Sequence, residues 1–343
     1  MTQIKVDTIA NAAGTGAADF ADGITIAGGA LSALNTAEYY SSASEPTSPK
    51  NGAIWWDTAN EKVMVYIAGE FKEVELGASA GVAFSWTFDA SDLTQDSNSL
   101  AVGSQDTNPY SVAVSATGDK MFLVGLTGDS VFQYSLSTPF DITTATYDSV
   151  SFSLASQETS PADIKFNADG TKMFIIGFAT DSIYQYSLST AYDASTISYD
   201  NVSFSVSSQE TYPMALYFTP DGTKMYVGGR DADRVHQYSL STAFDVSTAS
   251  YDNVSLDISS KEASLTSIFF DTAGEKLFIL GYTSDSFHQY NLSSAYDLTT
   301  ASFVSTLATP AGALGASVSP DGTKVYVTNT VTPDSVYQYS TGL

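Results

Sequence analysis

The sequence contains no cysteine, which excludes a disulfide framework and any zinc site built from thiolates. It has two histidines and two arginines among 343 residues. Its 13 basic residues are outnumbered by 38 acidic ones, and the formal net charge is −25. Because nucleic acids and anionic membranes are bound by basic surfaces, we expect neither to be a partner.

Long apolar runs are also missing. No stretch approaches the ~20 apolar residues of a membrane-spanning helix, so we expect no membrane insertion. The first thirty residues hold one basic residue, Lys5, and no continuous apolar segment, which predicts that no secretory signal is present. Aromatic residues make up 13% of the chain and charged residues 15%, a composition that can bury a core.

A unit of about fifty residues occurs five times. A lysine recurs at steps of 52, 52, 52 and 48 residues, and a Gln-Tyr pair recurs at steps of 52, 52, 52 and 49. The lysines are Lys120, Lys172, Lys224, Lys276 and Lys324, and the glutamines are Gln133, Gln185, Gln237, Gln289 and Gln338. Each unit divides into four short strands. This period with four strands per unit is typical of a β-propeller blade.

The fifth unit lacks its fourth strand, and a matching segment stands before the first unit. Phe88-Asp89 lies 52 residues before Phe140-Asp141. We therefore predict that residues 83–106 supply the fourth strand to the blade formed by residues 312–341. The resulting domain, 83–343, is predicted to be an all-β, five-bladed propeller of four-stranded blades that is closed by an N-terminal strand.

Two smaller segments precede the propeller. Residues 1–38 are rich in Ala and Gly and cannot bury a core of their own, so we expect an extended docking and oligomerisation segment ordered against a partner. A flexible tail is the alternative. Residues 39–77 are predicted to form a linker and a small three-stranded β-meander, with strands in 52–57, 62–67 and 70–76.

The segment SPDGTKVYVTN at residues 319–329 resembles the YVTN family of β-propellers. The resemblance covers the repeat region and implies a fold rather than an activity. Related propellers include lactone hydrolases with seven blades, whereas this sequence has five repeats. The difference in blade number argues against transferring their enzymology.

The N-terminal region resembles the opening of tail-fibre and related virion proteins of marine tailed bacteriophages. The similarity lies in QIKVDTI at residues 3–9, AGTG at 13–16 and EPTSPKNGAIWWD at 45–57. In such proteins the N-terminal part docks on the particle, and the C-terminal part varies and often faces the host. The resemblance implies that residues 1–77 contact other virion proteins.

Catalytic residues are hard to find in the sequence. Both histidines, His236 and His288, occupy a position that is Phe132, Tyr184 or Tyr337 in the other repeats, which predicts aromatic packing rather than base catalysis. We find no Ser-His-Asp spacing, no phosphate-binding glycine loop and no metal-ligand cluster. We therefore predict that the chain is not an enzyme.

Acidic residues recur on two sets of loops that should emerge on one face of the propeller. The two sets include Asp106, Glu158, Glu210 and Glu262, and Asp129, Asp181 and Asp285. One interpretation is a cation site, calcium with oxygen ligands, or a polar rim for sugars. The other is turn chemistry that satisfies loop backbone. Repetition in successive blades favours turn chemistry, so we expect no cofactor, with calcium as the alternative.

The symmetry of the repeats breaks most clearly in the third blade. Its loop contains Arg230, Asp231, Asp233 and Arg234, including both arginines of the protein. Binding residues concentrate in loops on rigid scaffolds, and arginine suits carboxylates and planar groups. We predict a contact site at these four residues. Salt bridges between the arginines and neighbouring acids are the alternative.

These observations predict a bacteriophage virion structural protein of tail-fibre or appendage type, docked by its N-terminus with the propeller displayed outward for host attachment. The expected partners are other virion proteins, a host cell-surface glycan or protein, and further copies of the chain in a homo-oligomer. The alternatives are a structural joint or decoration protein of the tail or capsid, a lactonase-like propeller enzyme, and a bacterial surface-binding module.

Overall fold

The computed structural model describes residues 86–331 and 333–343, together with the backbone of six short strands among the first 85 residues. These strands are β1 (Ile4–Val6), β2 (Ile24–Ile26), β3 (Tyr39–Ser42), β4 (Ile54–Asp57), β5 (Lys62–Ile67) and β6 (Glu70–Glu73). The chain divides into two compact units, residues 1–80 and 81–343. No helix in the described part has the length and apolar character of a membrane span.

In the first unit, β1 and β2 pair antiparallel, and β4, β5 and β6 are antiparallel neighbours in chain order, as predicted for the meander. The sheet has four strands rather than three, because β3 pairs parallel with β4. The sequence analysis missed β3 because it adjoins the Ser/Pro-rich stretch that was interpreted as a linker. The predicted docking role of residues 1–38 lies outside the described residues.

The second unit begins with β7 (Thr94–Ala101), which nineteen further strands follow. Blades 1 and 2 contain β8 (Pro109–Val114), β9 (Lys120–Gly125), β10 (Ser130–Leu136), β11 (Ala145–Ser153), β12 (Pro161–Phe166), β13 (Lys172–Gly177), β14 (Ser182–Leu188) and β15 (Ile197–Ser205). Blades 3 and 4 contain β16 (Pro213–Phe218), β17 (Lys224–Gly229), β18 (Arg234–Leu240), β19 (Ala249–Asp257), β20 (Leu265–Phe270), β21 (Lys276–Gly281), β22 (Ser286–Leu292) and β23 (Ala301–Ala308). Blade 5 contains β24 (Ala313–Val318), β25 (Lys324–Asn329) and β26 (Ser335–Ser340).

Each blade is a four-stranded antiparallel sheet, and its first strand contacts the first strands of both neighbouring blades around the axis. Short 3-10 helices precede the fourth strands, at Ala90–Asp92, Ile142–Thr144, Ala194–Thr196, Val246–Thr248 and Leu298–Thr300. The predicted closure is confirmed, since β7 pairs antiparallel with β26 and places Leu100 opposite Val336. Pairing the two ends of the domain in one blade leaves no open joint in the ring.

The core lies between the blades. The second strand of each blade is apolar on both faces because it is covered on both sides, and Met173 and Phe174 are fully buried in β13. Phe174 packs with Leu216 and Met225 of the next blade. Such contacts recur around the ring, so each blade depends on its neighbours.

The repeated lysine and glutamine belong to a hydrogen-bond network that joins successive blades. Gln133 Nε2 donates to Asp148 at 2.7 Å, and Lys120 pairs with the same carboxylate at 2.9 Å. Gln133 Oε1 accepts the backbone N–H of Ala194, in the next blade, at 2.7 Å. The equivalent inter-blade bonds join Val246 to Gln185, Ala90 to Gln289 and Ile142 to Gln338. The periodic signature of the sequence is therefore explained by blade assembly.

Candidate ligand-binding mouth of the propeller

A mixed aromatic and apolar cluster lies where the first strands begin. Tyr110, Ala162, Met214 and Leu314 occupy the second position of the first strand in blades 1, 2, 3 and 5, and all four are buried together. Side chains from four blades can meet only at the axis of the ring. This end of the axis, which we call the mouth, also carries the loops that leave the second and fourth strands.

Arg230 stands in a column of aromatic rings at the mouth. The rings of Phe178 and Tyr212 stack with centroids 4.2 Å apart and an interplanar angle of 12°. Arg230 Cζ lies 5.3 Å from the centroid of Tyr212 and 5.0 Å from the centroid of Tyr282. Attraction between the guanidinium and the ring faces fixes the arginine between two blades.

The charge of Arg230 is not neutralised by a carboxylate within the described residues, where no acid lies within 4.0 Å of its guanidinium. Its Nε is buried and has no hydrogen-bond partner among those residues. Burial raises the pKa of the Tyr110 hydroxyl, and the nearby positive charge of Arg230 opposes that rise. The mouth therefore presents a held cation with donors left for another molecule.

Phe178, Arg230 and Tyr282 occupy equivalent positions, each directly after the second strand of its blade. Leu126, Phe178, Arg230, Tyr282 and Thr330 hold this position in the five blades. In blade 3 the Arg230 amide donates to the Tyr212 carbonyl at 3.1 Å, and equivalent bonds hold Phe178 and Tyr282. A uniform backbone thus carries five different side chains around the axis. The sequence identified Arg230 but missed Phe178 and Tyr282, which an alignment of the repeats at this position reveals, and Tyr212, which directly precedes the first strand of blade 3.

The structure separates Arg230 from the three residues that the sequence grouped with it. Arg234 pairs with Asp257 at 2.9 Å on the fourth strand of its own blade, which is the alternative that the sequence left open. Asp231 accepts a hydrogen bond from the Thr211 hydroxyl at 2.7 Å. Asp233 occupies a turn position with φ of 49°. Of the four, Arg230 is the residue whose side chain contacts the aromatic rings of the mouth.

The first set of repeated acids is buried and hydrogen-bonded to loop backbone. Glu158 accepts the amide of Ser160 at 2.8 Å and that of Ala179 at 3.1 Å, so one carboxylate joins the two neighbouring loops at the mouth end of its blade. Asp106, Glu210 and Glu262 make the same kind of contact in their blades. Their oxygens face amide donors, which is the arrangement that turn chemistry requires.

In the four blades that have this carboxylate, the second strand ends in a glycine, because the carboxylate lies against that residue. A Cβ atom at Gly177 would collide with the Glu158 carboxylate, and Gly125, Gly229 and Gly281 are similarly close to their acids. Blade 5 has no acid at this place, and Asn329 replaces the glycine. The Asn329 side chain joins the two loops in place of the carboxylate. It donates to the Ala311 carbonyl at 2.6 Å and accepts from the Val331 amide at 2.8 Å.

The second set of acids lies in the turns before the third strands. Asp129, Asp181 and Asp285 have positive φ values of 41°, 51° and 45°. Burial raises the pKa of Asp129, and the charges of Asp106 and Glu158 add to that rise. No group of three acidic or histidine side chains within the described residues is arranged to hold a metal ion. Oδ1 of Asp129 is buried and has no hydrogen-bond partner among the described residues. The expectation of no cofactor, with calcium as the alternative, stays a prediction.

The two histidines differ although they share a position. His236 is buried without a hydrogen-bond partner on either nitrogen among the described residues, and burial lowers its pKa to about 4. His288 Nε2 lies 2.9 Å from the Ser284 hydroxyl, and its Nδ1 lies 3.0 Å from that of Thr306. Hydrogen bonds from the Ser284 hydroxyl and from backbone amides, with His288 Nε2 at 3.9 Å, lower the pKa of Glu262 to about 2 against the effect of burial. Both histidines pack within a blade, as the sequence predicted.

No family model matches the sequence, and no curated protein matches it. Two solved structures of similar fold carry the name "putative 6-phosphogluconolactonase". The one from Bacteroides uniformis is 15% identical, with a TM-score of 0.43 and coverage of 68% of this chain and 67% of its own. The one from Bacteroides fragilis is 14% identical, with a TM-score of 0.43 and coverage of 68% of both chains.

A third structure, a protein of unknown function from Desulfotomaculum acetoxidans, is 12% identical with a TM-score of 0.42. The match covers 64% of this chain and 62% of that protein, less than two thirds of its length. The names of the two Bacteroides proteins contradict the prediction that the chain is not an enzyme, and that prediction is withdrawn. At these identities the likeness is one of fold and assigns no reaction. The comparisons give no evidence for the YVTN family or for bacteriophage tail fibres.

Proposed function

We propose that the propeller is the binding head of a bacteriophage virion appendage and that it attaches to the host surface through the mouth. One observation carries the proposal. The mouth is the place where a near-symmetric ring presents a different side chain from each blade, with Arg230 held between Tyr212 and Tyr282 and no acid on its guanidinium. A cation fixed in advance loses little conformational entropy on binding.

The virion setting is supported by the resemblance of the N-terminal region to tail-fibre proteins. In this proposal residues 1–77 dock on other virion proteins, the chain assembles with further copies of itself, and no cofactor is needed. The closed ring suits a displayed head, because its last strand is paired rather than exposed. The host ligand is a cell-surface glycan or protein.

Two measurements test this function. Mass spectrometry of purified particles should detect the chain, and its absence would refute the virion setting. The full-length purified protein, added in excess to host cells before infection, should bind the cells and reduce phage adsorption. If the protein is found in particles and binds no cells, the alternative of a structural joint or decoration protein is favoured.

A further inference from the structure

We propose that the mouth recognises an acidic saccharide, whose carboxylate binds the edge of Arg230 and whose ring lies on Tyr282. This inference rests on the proposed function and specifies the ligand class of the same site. Three features of the described residues support it: the geometry of the arginine, the exposed aromatic face beside it and the charge of its surroundings.

The geometry of Arg230 favours a planar anion. Its Cζ lies 5.3 Å from the centroid of Tyr212 and 5.0 Å from that of Tyr282. Both contacts are with aromatic rings rather than with a carboxylate, so the N–H donors of the guanidinium are left for an anionic ligand. A carboxylate matches the edge of the guanidinium with two parallel hydrogen bonds. Nε is buried and has no hydrogen-bond partner among the described residues, so we expect the pair of bonds from the two terminal nitrogens.

Tyr282 provides a surface for a sugar ring. It is 44% exposed, one of the largest exposed apolar side chains of the described residues, and it lies directly beside the cation. Tyr212 has no comparable free face, because Phe178 stacks on it at 4.2 Å. A pyranose ring presents apolar C–H groups to an aromatic face. A sugar acid therefore offers both parts of the ligand that the mouth accepts.

The surrounding charge limits how anionic the ligand can be. The protein carries a formal net charge of −25, and Arg234, the other arginine, is paired with Asp257. One unpaired guanidinium within such a field does not favour a dense polyanion such as a polyphosphate. A saccharide with one carboxylate at the contact point is the anion that this arrangement favours.

The inference is tested by calorimetric titration of the full-length protein with defined saccharides. The probes are an oligomer of hexuronic acid, its carboxyl-reduced neutral counterpart, and sialyllactose with lactose as its control. We expect one acidic probe to bind at least about tenfold more tightly than its neutral counterpart. Binding of the hexuronate identifies that source of carboxylate, and binding of sialyllactose identifies the other.

Variants connect this binding to the mouth. Arg230→Ala should abolish the preference for the acidic probe, and Arg230→Lys should weaken it because lysine cannot form the in-plane pair. Arg234→Ala, the matched control, should leave it unchanged. Equal affinity for acidic and neutral probes, or an intact preference in Arg230→Ala, would overturn the inference. If the protein adsorbs to host cells and binds no acidic probe, the ligand class is wrong while the attachment function stands. If it binds neither, both fail.

Discussion

Gln338 in the last blade accepts the backbone N–H of Ile142 in the first blade at 3.1 Å. This bond belongs to the same network that joins the other blades, and it connects segments almost two hundred residues apart. The ring is therefore closed twice, once by the pairing of β7 with β26 and once by this side chain. A rigid ring is what allows loop residues at the mouth to hold fixed positions.

The closure predicts unequal effects of the same substitution in two blades. Gln338→Ala removes the bond to Ile142 and leaves a buried amide without an acceptor, whereas the Gln237 Oε1 has no partner among the described residues. Both variants lose the bond from Nε2 to an aspartate. We expect Gln338→Ala to lower the free energy of unfolding by about 1 to 2 kcal/mol more than Gln237→Ala. Urea titration checks this, and equal losses would contradict the closure role.

The buried carboxylates should matter for folding. Glu158→Ala would leave the amides of Ser160, Ala179 and Thr180 without their acceptor inside the blade. We expect a loss of at least about 3 kcal/mol in the free energy of unfolding, since each unsatisfied buried donor costs about 1 to 3 kcal/mol. Glu275→Ala, at an exposed position, is the control and should change little. A small effect of Glu158→Ala would show that water satisfies these amides.

Chelation distinguishes the two interpretations of the repeated acids, a calcium site and hydrogen bonding to loop backbone. Since Asp106, Glu158, Glu210 and Glu262 accept hydrogen bonds from backbone amides, we expect EDTA to leave the thermal midpoint unchanged and added calcium to raise it by less than a degree or so. Differential scanning calorimetry of the full-length protein makes the comparison. A midpoint that falls by several degrees in EDTA would establish the calcium site that the sequence left open.

His236 should make stability depend on pH. Its pKa is lowered by burial to about 4, whereas an unfolded chain would protonate near 6.5. As the pH falls from 6.5 towards 4 the unfolded state binds the proton first, so stability is lost in that window and is fully present above it. Phenylalanine holds the equivalent position in the first blade, as Phe132. We expect His236→Phe to reduce the loss in the free energy of unfolding between pH 7 and pH 5 by about 2 kcal/mol.

The control for this prediction is His288→Phe. Both histidines are buried, but His288 has hydroxyl partners on both nitrogens, and the variant would also remove its contact with Ser284, the hydroxyl that donates to Glu262. It should therefore destabilise the protein at pH 7, where His236→Phe should not. An unchanged pH dependence in His236→Phe would refute the assignment of the buried neutral histidine.

The fold could be predicted from the sequence because each blade is formed by the same repeated sequence unit of four strands. The period followed from Lys120 and its four counterparts, and the displaced fourth strand followed from the match of Phe88-Asp89 to Phe140-Asp141. Strand β3 (Tyr39–Ser42), the additional strand in the sheet of the first unit, was not predicted. A short strand that pairs in parallel is not connected to its partner by a tight turn, so the sequence carries no turn signal for it.

The site was only partly predictable. Arg230 broke the symmetry and could be identified, but Arg234 broke it equally and turned out to pair with Asp257. The difference depends on which side chains meet across the axis, and Phe178, Tyr212 and Tyr282 come from three separate blades. Periodicity predicts which positions correspond and gives no information on which neighbours a side chain reaches.

The central claim is that the mouth, through Arg230, carries the binding function, and adsorption to host cells tests it most directly. Full-length wild-type, Arg230→Ala and Arg234→Ala proteins are labelled and titrated onto host cells, after calorimetry has shown that their thermal midpoints agree. We expect wild type and Arg234→Ala to bind alike and Arg230→Ala to lose at least about tenfold in affinity. Equal binding by all three proteins would contradict it and place attachment elsewhere on the chain.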